Sequence, residues 1–147
     1  MGQTPRTELL DLSVITPSED MAEKMRLAKD QKIIPIFRRK FADDTSLVTI
    51  RNFIPYELGA SILNYDFKAH SLYDLLSSNP ATKIKNTRTI VSANPTSVED
   101  ITLLNATKHA SMLYFHNVAV KENDTGVDFA FSHYRGDLNK FEHDAVP

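Results

Sequence analysis

The sequence predicts an α+β domain: an antiparallel or mixed sheet built around two hairpins, with three to four short helices and N- and C-terminal arms. Three observations predict it. Two pairs of β-rich runs are each joined by a short polar turn, and helix-start signals stand between them. The resulting order of hairpin, helices, strand, helix and hairpin lacks the regular strand and helix alternation of a doubly wound sheet. Residues 1–15 are expected to form an extended arm, 16–134 a single α+β domain, and 135–147 an irregular tail.

The elements follow in order. In Glu8 to Ile15, Leu10, Leu12 and Val14 alternate with Asp11 and Ser13 at the strand period. Thr16-Pro17-Ser18-Glu19 reads as a helix start with Thr16 as N-cap, Pro17 in the first turn and Glu19 closing a capping box. Met21, Met25 and Ala28 continue it to about Asp30. Lys32 to Phe41 and Ser46 to Phe53 form the first hairpin around Ala42 to Thr45. Pro35 lacks the N–H that a central strand uses, which places its strand at an edge or a bulge.

Pro55 opens a helix carrying Leu58, Ile62 and Tyr65, and Ser71 to Ser77 forms another, ended by Asn79-Pro80. Thr82 to Ala93 is strand-like and Asn94-Pro95 a turn. Thr96 and Glu99 supply a second capping box, ahead of a helix bearing Leu103, Ala106 and Ala110, with Leu113 as its far limit. The second hairpin joins the run from Met112 to the alternating Val127 to His133 across Asn123 to Gly126. Closing that turn with Glu122 opposite Val127 sets Val120 against Phe129 and His116 against His133.

Composition narrows the chemistry. The chain has 147 residues, 41% of them hydrophobic, no Cys and no Trp, so it holds one core and no disulfide or thiol chemistry. Seventeen basic against nineteen acidic side chains remove the electrostatic case for nucleic acid or anionic membrane as the main partner. No apolar run approaches the roughly 20 residues that cross a bilayer, and the expected compartment is the cytoplasm. Four scattered glycines cannot build a phosphate-cradling loop. Five histidines, with no H-x-x-x-H spacing, build no zinc motif, and His116 with His133 is the one pair that converges on the predicted register. His109-Ala110-Ser111 stands as a single dyad, and Arg135-Gly136-Asp137 reads as a turn. No cofactor and no catalytic or metal residue is expected, and the chain is read as a non-enzyme.

Charge is unevenly spread. Residues 24–51 hold eight basic and three acidic side chains, and residues 121–147 three basic and six acidic. Opposite patches and apolar arms together suit subunits that engage copies of themselves or partner subunits. The sequence-level expectation is therefore a structural assembly protein, of the kind found in a virus particle such as a phage neck or tail. Its expected contact residues are Leu10, Leu12, Val14, Arg38, Arg39, Asp137 and Phe141. The alternative is a small binding module or inhibitor acting on nucleic acid or a host protein through the basic strands, where Phe37 and Phe41 flank Arg38-Arg39-Lys40.

Overall fold

The computed structural model describes residues 3–64 and 72–146. Six strands form one sheet: β1 (Pro5–Leu12), β2 (Ile33–Ala42), β3 (Thr45–Pro55), β4 (Asn86–Pro95), β5 (Ser111–Val120) and β6 (Gly126–Arg135). Their spatial order is β1-β2-β3-β6-β5-β4, and every neighbouring pair is antiparallel. Four short helices accompany it: α1 (Glu19–Lys24), α2 (Tyr56–Gly59), α3 (Leu72–Ser78) and α4 (Val98–Leu104). The α+β class and antiparallel sheet agree with the sequence. Tyr65 and Ser71, which the sequence places on the two helices after Pro55, lie outside the described residues.

Because successive strand residues point to opposite faces, the register sorts the sheet into two surfaces. On one, Ile34, Ile36 and Ile54 are fully buried beneath Ile62, Leu72 and Leu76. On the other, Ile33 and Phe129 pack against Met25 at the end of α1, and Met112 packs against Leu104 and Ala106 beside α4. Both faces are therefore covered, each only in part.

Several local expectations are corrected. Ser18, not Thr16, caps α1, accepting from the Met21 N–H, while Lys32 Nζ donates to Thr16 Oγ1. α1 stops at Lys24 because Arg26 turns left-handed at φ 54°. Ser97 and Asp100 form the second capping box, not Thr96 and Glu99, and Asn105 at φ 53° ends α4, which frees Ser111 to begin β5. Pro35 sits in an interior strand. Its carbonyl accepts from the Ser13 N–H on the β1 side, where the β1 ladder has already ended at Leu12, so the missing N–H leaves no ladder bond unmade. Asn94 and Pro95 finish the edge strand β4, where the sequence placed a turn after Ala93.

The second hairpin also closes differently. A bulge at Ala119/Val120 brings Val120 opposite Gly126, so Phe129 faces Val118, Phe131 faces His116, and His133 faces Tyr114. Gly126 is what permits this entry, since a Cβ there would stand 3.0 Å from the Met25 carbonyl oxygen. Gly136 is tighter: its Cβ would stand 2.6 Å from the Ser111 carbonyl oxygen, to which its N–H already donates at 3.0 Å. Gly136→Ala is expected to destabilise the fold by about 1–3 kcal/mol through this overpacking, measured as a lower urea midpoint at unchanged slope.

Candidate functional site

A row of polar side chains crosses the middle of the sheet on the face that carries Ile34 and Ile36. The register sets Asn52 of β3 beside Ala130 of β6, Ala130 beside Asn117 of β5, and Asn117 beside Thr89 of β4. Arg38 and Lys40 project from β2 onto the same face, and Asp128 and Ser132 from β6. The row lies between two apolar covers. α2 and α3 close one end over Ile34, Ile36 and Ile54, and at the other Phe141 of the tail packs on Phe115 and Tyr134 at 4.5 and 4.8 Å between ring centres.

At the centre, Arg38 is 5% exposed and donates from Nη2 to Asn52 Oδ1 at 2.8 Å. The Asn52 amide in turn donates to both Asp128 carboxylate oxygens at 3.1 and 3.0 Å. Asn52 thus has both ends assigned, its carbonyl to a cation and its NH₂ to an anion. Burial lowers the Arg38 pKa, partly opposed by the Asp128 charge. Burial also lowers that of Lys40, and the nearby Arg38 charge lowers it further. Asp128 is pushed up to about 6 by burial, against the pull of Asn52 and Arg38. Two cations held close on one side of a half-covered floor create a positive potential that a small anion would relieve. Thr89 donates to Asn117 Oδ1 at 2.6 Å, so polar groups continue along the row for a hydroxylated or amide-bearing body.

The reverse side of the same strands grips α4. Arg51, next to Asn52, pairs bidentately with Glu99 at 2.6 and 2.9 Å and lies 3.8 Å over the Phe37 ring. Arg39, next to Arg38, pairs with both Glu8 oxygens and donates to the Leu103 carbonyl at 3.0 Å. His133, next to Ser132, contacts Asp100 at 2.9 Å through Nδ1 and stacks on Tyr114. Three strands therefore each carry one neighbour facing the polar row and the next facing α4.

Residues 1–140 match the UTRA domain family. The chain belongs to the UTRA family. A UTRA relative, the HTH-type transcriptional repressor NagR of Bacillus subtilis, is 26% identical over 142 residues, which cover 97% of this chain and 58% of that protein. The chain thus spans somewhat over half the length of that relative. Among solved structures, the effector-binding domain of the Bacillus subtilis trehalose repressor TreR superposes with a TM-score of 0.84 at 19% identity, covering 97% of this chain and 98% of that one. The effector domain of PhnF from Mycobacterium smegmatis gives a TM-score of 0.87 at 18% identity, covering 98% and 88%. These likenesses share the UTRA fold.

Membership of the UTRA family overturns the expectation of a structural assembly or virion subunit, and with it self-association into a particle as the chain's purpose. That expectation read the basic run as a docking patch. The structure instead divides it, with Arg38 and Lys40 on the polar row and Arg39 on Glu8 and α4. Leu10 lies in the bulge of β1 and Leu12 packs on the apolar cluster under α2 and α3, while Val14 is 43% exposed. Asp137 is held by Arg135 at 2.7 Å, which accounts for the Arg-Gly-Asp turn, and Phe141 covers Phe115. His116 and His133 do not meet: His133 binds Asp100, and His116 Nδ1 lies 3.1 Å from the Ala130 carbonyl oxygen. Among the described residues no group of three or more His, Asp and Glu is arranged to hold a metal ion, and no helix is long and apolar enough to cross a membrane.

Sequence reasoning missed Asn52 and Asp128. The available signal was a polar residue set among apolar ones at the strand period, Asn52 between Ile50 and Ile54 and Asp128 two residues before Ala130.

Proposed function

We propose that this UTRA domain is the effector-binding part of a cytoplasmic, GntR-type transcriptional repressor, a non-enzymatic module that binds a small hydroxylated organic anion on the polar row. The carrying observation is the Arg38–Asn52–Asp128 chain with Lys40 beside it, a buried and oriented polar constellation on a sheet face closed at both ends. In this reading the acidic group of the effector rests between Arg38 and Lys40, and its hydroxyls reach Asp128, Ser132 and Asn117. Relatives described as effector-binding domains and as an HTH-type repressor support it, as does the GntR-family regulator of similar fold from Enterococcus faecalis. DNA contact then belongs to another part of the repressor. The alternation of Arg38/Arg39, Arg51/Asn52 and Ser132/His133 gives the effector a mechanical link to α4 on the far face.

Thermal-shift measurements with sugar phosphates and sugar acids, against the matching neutral sugars, test this reading. A rise in melting temperature confined to anionic members is expected, because a ligand that binds only the folded state stabilises it. A response to the neutral sugars alone would contradict it.

Asp128 makes a separate prediction. Its folded pKa of about 6 exceeds the usual 3.8, so between these values the folded chain holds a proton that the unfolded chain has lost. Its contribution to stability therefore declines as pH rises from about 4 to about 6 and is constant above that window. Affinity for a sugar acid, whose carboxylate stays ionised through this range, should strengthen as pH falls through about 6, since protonation removes the negative charge of Asp128 beside the ligand. Asp128→Asn is expected to abolish both dependences, read by calorimetry between pH 5 and 7.5.

A further inference from the structure

The opposite face of the sheet carries a cavity of about 520 Å³ between the end of α1 and the strands β4, β5 and β6. Its floor is apolar: Met25, Ile90, Val118 and Phe129 line it. Ile90 is 49% exposed, a large aliphatic side chain left open on the wall of a concave surface. His116 lines the same wall with its ring fixed, stacked on Phe131 at 4.2 Å and with Nδ1 against the Ala130 carbonyl.

The charges around this cavity are not balanced. Lys24 is paired with Asp20 at 2.9 Å and Lys85 with Asp124 at 3.6 Å, so the one carboxylate on the lining already has a cation. Arg26 and Arg88 also line the cavity, and among the described residues neither has an ion pair or a side-chain hydrogen bond. Arg26 adopts φ 54°, a left-handed conformation that a residue with a long side chain rarely holds. Met25 beside it is anchored in the core and its backbone is pressed onto Gly126. The turn that ends α1 thus sets one arginine on the lining of a cavity to which β4 contributes another.

We propose that this cavity is a second ligand site, separate from the polar row, for an amphipathic organic anion such as a medium-chain carboxylate. The acid head sits between Arg26 and Arg88, where guanidinium groups offer bidentate hydrogen bonds. The hydrocarbon body lies along Ile90, Val118 and Phe129. The volume suits a small organic molecule, and an apolar lining with a few convergent polar groups is the usual make-up of such sites.

Isothermal calorimetry with decanoate on the full chain tests the proposal. Saturable binding at one site per chain is expected, weakened at least tenfold in the double variant Arg26→Glu/Arg88→Glu and in Ile90→Glu. All three positions are at the surface, so these variants should keep the wild-type melting temperature. The Arg26→Glu/Arg88→Glu variant should keep the wild-type thermal response to sugar phosphates and sugar acids, which separates this site from the effector site. No decanoate binding to the wild-type chain, or equal binding by the cavity variants, would each overturn the proposal.

Discussion

Replacing Asp100 by alanine is expected to be the most destabilising single substitution in the chain. Its side chain is fully buried, and its carboxylate accepts from the Ser97 N–H, the Tyr114 hydroxyl and His133. One group therefore closes the N-terminal cap of α4 and fastens that helix to both strands of the second hairpin. Burial alone would raise its pKa, yet the hydrogen bonds from Tyr114, Ser97 and His133 hold it below the usual value, so the carboxylate is ionised and compensated. Conversely, burial and the bond to Asp100 push the Tyr114 hydroxyl up to about 12. Removing the carboxylate leaves three donors facing an apolar cluster of Leu104, Ala106 and Met112. A loss of ~3–5 kcal/mol is expected, or on the order of 10 °C in melting temperature. Because the folded pKa is lowered, this contribution is present above the unfolded value near 4 and is lost as pH falls below it. Tyr114→Phe, which removes one donor and leaves the carboxylate its other partners, should cost about 1 kcal/mol.

Arg38→Met carries the second large effect, divided between stability and binding. The side chain is nearly inaccessible, and methionine fills most of its volume while leaving Asn52 and Asp128 without their cation. Breaking a buried charge network from one side costs ~3 kcal/mol. Asp128 limits that cost by protonating: without Arg38 its pKa rises further, and the chain takes up a proton near neutral pH. Binding has no such relief. An anion loses its principal partner, so effector affinity should fall by a factor of 100 or more, on the scale of a lost charge-assisted hydrogen bond at a desolvated site. Lys40→Met should weaken binding less, because Lys40 is only half-buried.

Much of the backbone was legible because local signals are physical constraints on a few residues. The Ala42-to-Thr45 turn, with Asp43 left-handed at φ 53°, and the alternation of Val127 to His133 each act within ten residues. The helix N-caps were legible as a kind and misplaced by one or two residues, and only the second of them is a full capping box. Thr96 and Ser97 are equally good caps in sequence, and only the bond from Thr96 Oγ1 to the Ala110 carbonyl decides between them. The hairpin register needed a bulge at Ala119 that no local pattern announces.

The site was not legible, for a reason of topology. Arg38, Asn52 and Asp128 come from three strands, and they meet because β6 inserts between β3 and β5. The alternation in β6 was legible as a strand, but alternation does not say that both of its faces are covered, and here the face that carries Asp128 and Ser132 is the floor of a site. The strand period sends Arg38 and Lys40 to one side and Arg39 to the other, but their partners, Asn52 from β3 and Glu8 from β1, were not legible.

The central claim is that a small anion binds on the polar row of the sheet. Amide chemical-shift mapping of the ¹⁵N-labelled chain, titrated with the sugar phosphate or sugar acid that most raises the melting temperature, tests it most directly. The account predicts saturable shifts concentrated at Arg38, Lys40, Asn52, Asp128 and Ser132, with weaker ones at Arg51 and His133 toward α4, and their loss in Arg38→Met. Shifts confined to the α1 and β4 cavity, or none with any anion tested, would contradict it.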